Sequence, residues 1–338
     1  MSAPNPGAEA VGPSVRAGRL ARLGAWATAT PWRRRALVVG GLAAAVAAVV
    51  SGAFLDVLRV VGRTLAGVGP MQWADRAGAW HEVPVVLADR RNWGVRDTFL
   101  LAESAPPWVA RAAGLVSKDL AVRRAPNPHV VGLLAVRVDM SAWRPRVWGR
   151  ADWSRDSVED LARQAGLAVA FNAAYFTDDG PLGVVISDGV RRSPQARHRA
   201  AHFLVGADGR ARIVNRKRAP LGDAVQAFQG FPALLSGGRV YAYLRTGGRG
   251  FDAWTVDRRT AACIDRGGRL VFLVTDTHTN GLTLDELATV MGGLGCVDAM
   301  AFDGGSSTGF HIALPGWSRG LSNLEPVPVI VGLAPVVR

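Results

Sequence analysis

The sequence predicts an α+β fold, a mixed β-sheet rich in hairpins with flanking helices, preceded by one N-terminal transmembrane helix. Three observations carry this reading. Two helix–glycine–strand units recur at 157–172 and 283–303; glycine-bearing turns at 188–189, 208–209, 236–238 and 266–268 each separate a pair of strand-like segments; and one uncharged run stands near the N-terminus.

Taken in order, Met1 to Thr30 is rich in Ala, Gly, Pro and Arg without apolar periodicity, so residues 1–32 read as a disordered cytoplasmic tail. Arg33, Arg34 and Arg35 precede Ala36 to Leu55, twenty residues without a charge. A helix rising about 1.5 Å per residue over that length crosses a hydrocarbon core of about 30 Å, which makes 33–58 a transmembrane helix acting as a signal anchor. The arginines on its N-terminal flank keep that end in the cytoplasm and export everything after Asp56. A cleaved signal peptide, with small residues at Ser51 to Ala53, is the alternative. Residues 59–128 read as a linker or accessory region: Trp73, Trp80, Trp93 and Trp108 are dispersed between proline breaks, and no chemistry is assigned there.

The folded domain is expected over 129–338. Val130 to Met140 is strand-like. Ser157 to Ala165 has the pattern of a short helix, Gly166 stops it, and the apolar segment Leu167 to Phe171 delivers Asn172. Thr283 and Glu286 form a Thr-x-x-Glu capping box, Leu284 to Leu294 carries helical apolar spacing, Gly295 terminates it, and the next apolar run ends at Asp303. Two units on one plan suggest parallel neighbouring strands, with Asn172 and Asp303 leaving the sheet at the same end, where open α/β sheets place their ligands. Gly304 and Gly305 permit a tight turn whose N–H groups would face an anion.

Composition narrows the function. With 338 residues, 49% hydrophobic and 20% charged, the chain has material for one large domain or two modest ones. The net charge of +13 divides into +6 from residues 1–63 and +7 from the remaining 275. Scattered arginines without an aromatic-interleaved comb argue against a nucleic-acid partner and suit an anionic substrate. The two cysteines, Cys263 and Cys296, have no thiolate or histidine partner set for zinc. They read as buried thiols, a disulfide being the alternative if the domain is exported and their strands are neighbours.

Against that layout, Gln164 to Gly189 and Arg258 to Phe310 resemble the phosphodiester glycosidase family, whose bacterial branch is often exopolysaccharide-related. The motifs, in order, are Asn172-Ala173-Ala174-Tyr175-Phe176, Pro181-x-Gly183 with Asp188-Gly189, Pro232 to Gly238, Arg259-Thr260-Ala261, Asp303-Gly304-Gly305-Ser306-Ser307 and the closing Pro326-Val327-Pro328. Two departures stand out. Ala173 and Ala174 replace family glycines, which narrows the loop or forbids positive φ there. Thr275-Asp276-Thr277-His278 keeps the acid of an Asp-Gly turn but not the glycine.

The resemblance implies a hydrolase cleaving a sugar-1-phosphate phosphodiester at its glycosidic bond, on a carbohydrate-phosphate substrate and with no required cofactor. Asp303 is then the carboxylate nearest the anomeric carbon, as base for water or as nucleophile, with Asn172 orienting sugar or water and Asp276 as second carboxylate. A separation of about 5 Å between the two acids would mean retention, and one of about 6.5–9.5 Å inversion. Arg259 would bind phosphate bidentately, with Thr260, Tyr175 and the donors of Gly304, Gly305, Ser306 and Ser307 lining the site. His202 reads as a core histidine that can also face the phosphate. A divalent cation held by Asp303 and Asp276 is the one metal reading left open. Two other functions compete: a non-catalytic, membrane-tethered polysaccharide-binding or assembly module, and a metal-dependent phosphodiesterase.

Overall fold

The strand Val131–Val138 carries apolar side chains at consecutive positions, the pattern of a strand covered on both faces. The computed structural model describes residues 68–83, 103–197, 201–216, 219–240, 244 and 255–336, and it sets this strand inside a ten-stranded sheet. Leu134, Val136 and Val138 enter one core, while Leu133 and Ala135 enter another on the opposite face. The sheet runs from Arg239–Val240 through Ala233–Ser236, Cys296–Ala301, Thr260–Asp265, Leu270–Thr275, Val131–Val138, Leu115–Pro126 and Val68–Ala74 to Trp80–Glu82, and its tenth strand, Val109–Ala112, pairs with Leu115–Pro126 beside this path.

Two five-stranded sheets contribute to the first core. One runs Trp317–Leu321, Phe310–Leu314, Val169–Asn172, Ile330–Pro335, Trp143–Trp148; the other runs Val190–Ser193, Val185–Ser187, Ala224–Gly230, Ala201–Gly206, Ala211–Val214. Phe171 stacks on Phe272 across the interface with ring centroids 4.6 Å apart, and Phe302 meets Phe228 edge-on at 4.7 Å. The second core lies under the helix Leu284–Gly293, whose Leu284, Leu287, Val290 and Met291 are buried. The helix Val158–Ala165 packs Leu161 and Ala162 against Ala170 and Ile330 on the outer side of the Asn172 sheet.

Both helices begin and end as their residues dictate. The Ser157 hydroxyl accepts from the Asp160 N–H at 3.0 Å, and Gly166 closes the helix in the left-handed region at φ 64°. Thr283 and Glu286 form the full reciprocal capping box. The four expected hairpins are present, the first turning at Asp188 and Gly189 with φ of 49° and 79°, as a type I′ turn requires.

Four expectations change. Every pairing among the described strands is antiparallel, so the sheets are not mixed. The strands leading to Asn172 and Asp303 are not parallel neighbours but belong to different sheets; a shared local plan says nothing about which sheet a strand joins.

Within the segment expected to be a linker or accessory region before 129, the described strands Val68–Ala74, Trp80–Glu82, Val109–Ala112 and Leu115–Pro126 belong to the ten-stranded sheet. Leu115–Pro126 pairs with Val131–Val138 from Leu115 opposite Val138 to Val122 opposite Val131. Charge hid this strand. Its Lys118 and Arg123 lie over the rings of Trp108 and Trp80 at 5.3 and 4.2 Å, and Arg124 donates to Glu286 at the start of the second helix.

Cys263 and Cys296 form a disulfide with Cα atoms 5.7 Å apart. Their strands pair directly, and a register shift after Ile264 sets Cys296 opposite Asp265. The tail 1–32 and the transmembrane helix 33–58 lie outside the described residues; among the described residues no helix is long and apolar enough to cross a membrane.

Candidate active site

Asn172 ends its strand fully buried, with its side chain bonded on both sides. Its Nδ2 donates to the backbone carbonyl of Asp303 at 2.7 Å, and its Oδ1 accepts from Thr260 Oγ1 at 2.6 Å and from the Gly309 N–H at 3.3 Å. The Asp303 N–H in turn donates to the Ala173 carbonyl at 3.0 Å. One amide thus joins three chain segments from two sheets and holds the turn that presents Asp303. Ala173 and Ala174 sit in the core at 1% and 2% exposure with no positive φ, so replacing the family glycines demands no strained backbone here.

The half-buried Asp303 carboxylate accepts from the N–H of Gly304 at 3.0 Å. The turn that follows consumes its own donors. Gly305 N–H donates to the Arg258 carbonyl at 2.9 Å and Ser307 N–H to the Gly304 carbonyl at 3.3 Å, while the exposed Ser306 hydroxyl donates to Glu325 at 2.8 Å. The expected anion-facing row of N–H groups at Gly304 and Gly305 is therefore already occupied, and Ser307 is buried.

Arg258 and Arg259 stand beside this turn. Arg259 donates from Nε to the Leu282 carbonyl at 2.9 Å and from Nη2 to the Thr255 carbonyl at 2.6 Å. Its Nη1 lies beside the turn, 3.5 Å from where a Cβ on Gly304 would stand. Two backbone carbonyls fix these two nitrogens and so set the guanidinium beside the turn. The close approach that makes this possible depends on Gly281, where a Cβ would fall 1.8 Å from the Asp257 carbonyl oxygen.

Two residues at this turn escape the sequence reading. The Asp257 carboxylate accepts from the Arg258 N–H at 2.8 Å and stands 2.8 Å from a Cβ built on Gly305, itself at φ 64°. Arg258 is 4% exposed, and burial holds its guanidinium below the usual arginine range against the pull of Asp257. Their signal was adjacency to the Arg-Thr-Ala motif.

The other expected site residues have partners of their own. Asp276 is paired with Arg319, which also grips Asp119; although burial works against its charge, those two carboxylates raise the Arg319 pKa. Asp276 is thereby joined to Asp119 through one guanidinium. Thr260, 1% exposed, serves Asn172. His202 is fully buried in the third sheet with Nε2 2.9 Å from Gln195 Nε2, and burial pushes its pKa down. Tyr175 is half-buried, its carbonyl accepting from Leu182 N–H at 2.6 Å. Among the described residues no three His, Cys, Asp or Glu side chains gather as metal ligands.

A family model described as phosphodiester glycosidase matches residues 165–333, half of the chain, including every segment of this cluster. The chain belongs to the phosphodiester glycosidase family. Among solved structures it is similar to the zebrafish N-acetylglucosamine-1-phosphodiester alpha-N-acetylglucosaminidase catalytic domain auto-inhibited by pro-peptide, with 20% identity over 67% of this chain and 85% of that one and a TM-score of 0.54. A hypothetical protein from Synechocystis shares 17% identity over 68% of this chain and 64% of that one, with a TM-score of 0.50. No curated protein matches. At these identities the structural likeness speaks for the phosphodiester glycosidase fold alone.

Proposed function

We propose that this protein hydrolyses a sugar-1-phosphate phosphodiester at the glycosidic bond. The observation that carries the reading is the fixed pair of opposite charges at the 303–305 turn: a half-buried carboxylate held through Asn172, and the Arg259 guanidinium held by two carbonyls beside Gly304. A phosphate monoester leaves with little protonation, so the demands are to stabilise positive charge at the anomeric carbon and to hold the departing phosphate. Asp303 meets the first, as base for water or as nucleophile, and Arg259 the second. When water attacks, the bond between C1 and the phosphate oxygen breaks, its electrons stay on phosphate, and the water proton passes to a carboxylate. Asn172 and Thr260 act by positioning.

A glycan of the cell envelope or an exopolysaccharide is the substrate setting we favour, with the catalytic unit outside the cytoplasm and tethered through residues 33–58. The Cys263–Cys296 disulfide supports that setting, because such bonds persist in oxidising compartments. The test is release of free sugar from a sugar-1-phosphodiester by the purified protein. Asp303→Asn is expected to abolish release without changing the unfolding midpoint; a variant with the wild-type rate would contradict the assignment.

A further inference from the structure

Arginines 258 and 259 are consecutive, yet their guanidinium groups are treated differently. Arg259 has two nitrogens bonded to backbone carbonyls. Arg258 is 4% exposed, and its Nη2 is buried without a hydrogen-bond partner among the described residues. Among the described residues its Nη1 meets only His278 Nδ1, at 3.5 Å, the outer limit of a hydrogen bond. A buried charged donor left unmade is costly, and native structures seldom keep one without a purpose.

The place is as telling as the deficit. The Arg258 carbonyl accepts from Gly305 N–H, and its N–H is fixed by the Asp257 carboxylate, so the backbone of Arg258 is locked to the turn that presents Asp303. The two guanidinium groups have different surroundings: Arg258 Nη1 meets His278, whereas Arg259 Nε and Nη2 meet the Leu282 and Thr255 carbonyls. The cover over Arg258 is thin. His278 and Thr279 are exposed, and within this segment Thr279 N–H reaches Thr277 Oγ1 only at 3.4 Å. His278, which stands at Nη1 of the same guanidinium, is itself exposed, so a single side chain separates that group from solvent.

We propose that Arg258 is a second anion-recognising residue of this site and that the substrate carries two negative groups, the phosphodiester at Arg259 and a further oxyanion at Arg258. That oxyanion is a carboxylate or a phosphate on the sugar, either of which a guanidinium fork binds through two oxygens. The inference rests on the sugar-phosphate reading above and deepens it by naming the substrate class.

The test is calorimetric titration of the purified full chain with three probes: a hexose 1-phosphate, a hexuronic acid 1-phosphate and a hexose 1,6-bisphosphate. One of the two probes with a second acidic group is expected to bind about tenfold or more tighter than the first, the range of a charge-assisted hydrogen bond, and which one does so tells carboxylate from phosphate. Arg258→Gln, which leaves the carbonyl used by Gly305 in place, is expected to bring the three probes to one affinity. Arg258→Lys, keeping charge without the fork, is expected to fall between and reads the same point if the glutamine variant does not fold. Equal wild-type affinity for all three probes, or a preference that survives in both variants, overturns the inference while leaving the sugar-phosphate reading intact. Failure of all three to bind contradicts both.

Discussion

The side-chain amide of Asn172 and the backbone carbonyl of Asp303 meet at 2.7 Å although 131 positions separate them in the chain. The bond crosses from one sheet to another and sets the direction in which the Asp303 carboxylate leaves its strand. Asn172→Asp keeps size and acceptor oxygens but loses the donor. It is expected to lower kcat about a hundredfold or more with little change in KM, the pattern of a catalytic group misplaced while substrate binding is kept. Asn172→Ala also strips Thr260 and Gly309 of their acceptor and is expected to cost about 1–3 kcal/mol in denaturant unfolding. A rise in KM at constant kcat would instead put Asn172 against the substrate.

Asp276 stands in a chain of charges with Arg319 and Asp119. Asp276→Asn is expected to keep turnover within about tenfold of wild type, because general acid–base groups contribute about 10²–10⁴ and Asp276 is engaged elsewhere. Steady-state kinetics checks this. A thousandfold loss would restore Asp276 to the role its place in the sequence suggested.

The contrast between these two residues shows what the sequence discloses. Features written within a few residues were legible: the Ser157 and Thr283 caps, the Gly166 stop, and the turns at Asp188-Gly189 and Gly267-Gly268 all stand where their side chains and backbone freedom require. Features set by pairing between distant segments were not. The partition into separate antiparallel sheets, the strand Leu115–Pro126 disguised by its basic residues, and the engagement of Asp276 by Arg319 all depend on long-range pairing without a local signature. The candidate site divides in the same way: Asn172, Arg259 and Asp303 were found by motif, whereas Asp257 and Arg258 take their place from the close packing of Gly281 and Gly305.

The disulfide closes a separation of 33 residues between two paired strands. Replacing both cysteines by serine is expected to cost about 2–4 kcal/mol, and mild reductant should lower the thermal midpoint of the wild-type protein but not that of the double variant. Equal unfolding curves with and without reductant would show that the bond contributes nothing and would remove its support for an exported domain.

Hydrolysis of a sugar-1-phosphodiester in oxygen-18 water is the most direct test of the central claim, because it reports which bond breaks. Attack at the anomeric carbon places the heavy oxygen in the released sugar and leaves the phosphate monoester unlabelled, which is the predicted result. Label in the phosphate would mean cleavage at phosphorus and would contradict the assignment of Asp303 to the sugar carbon.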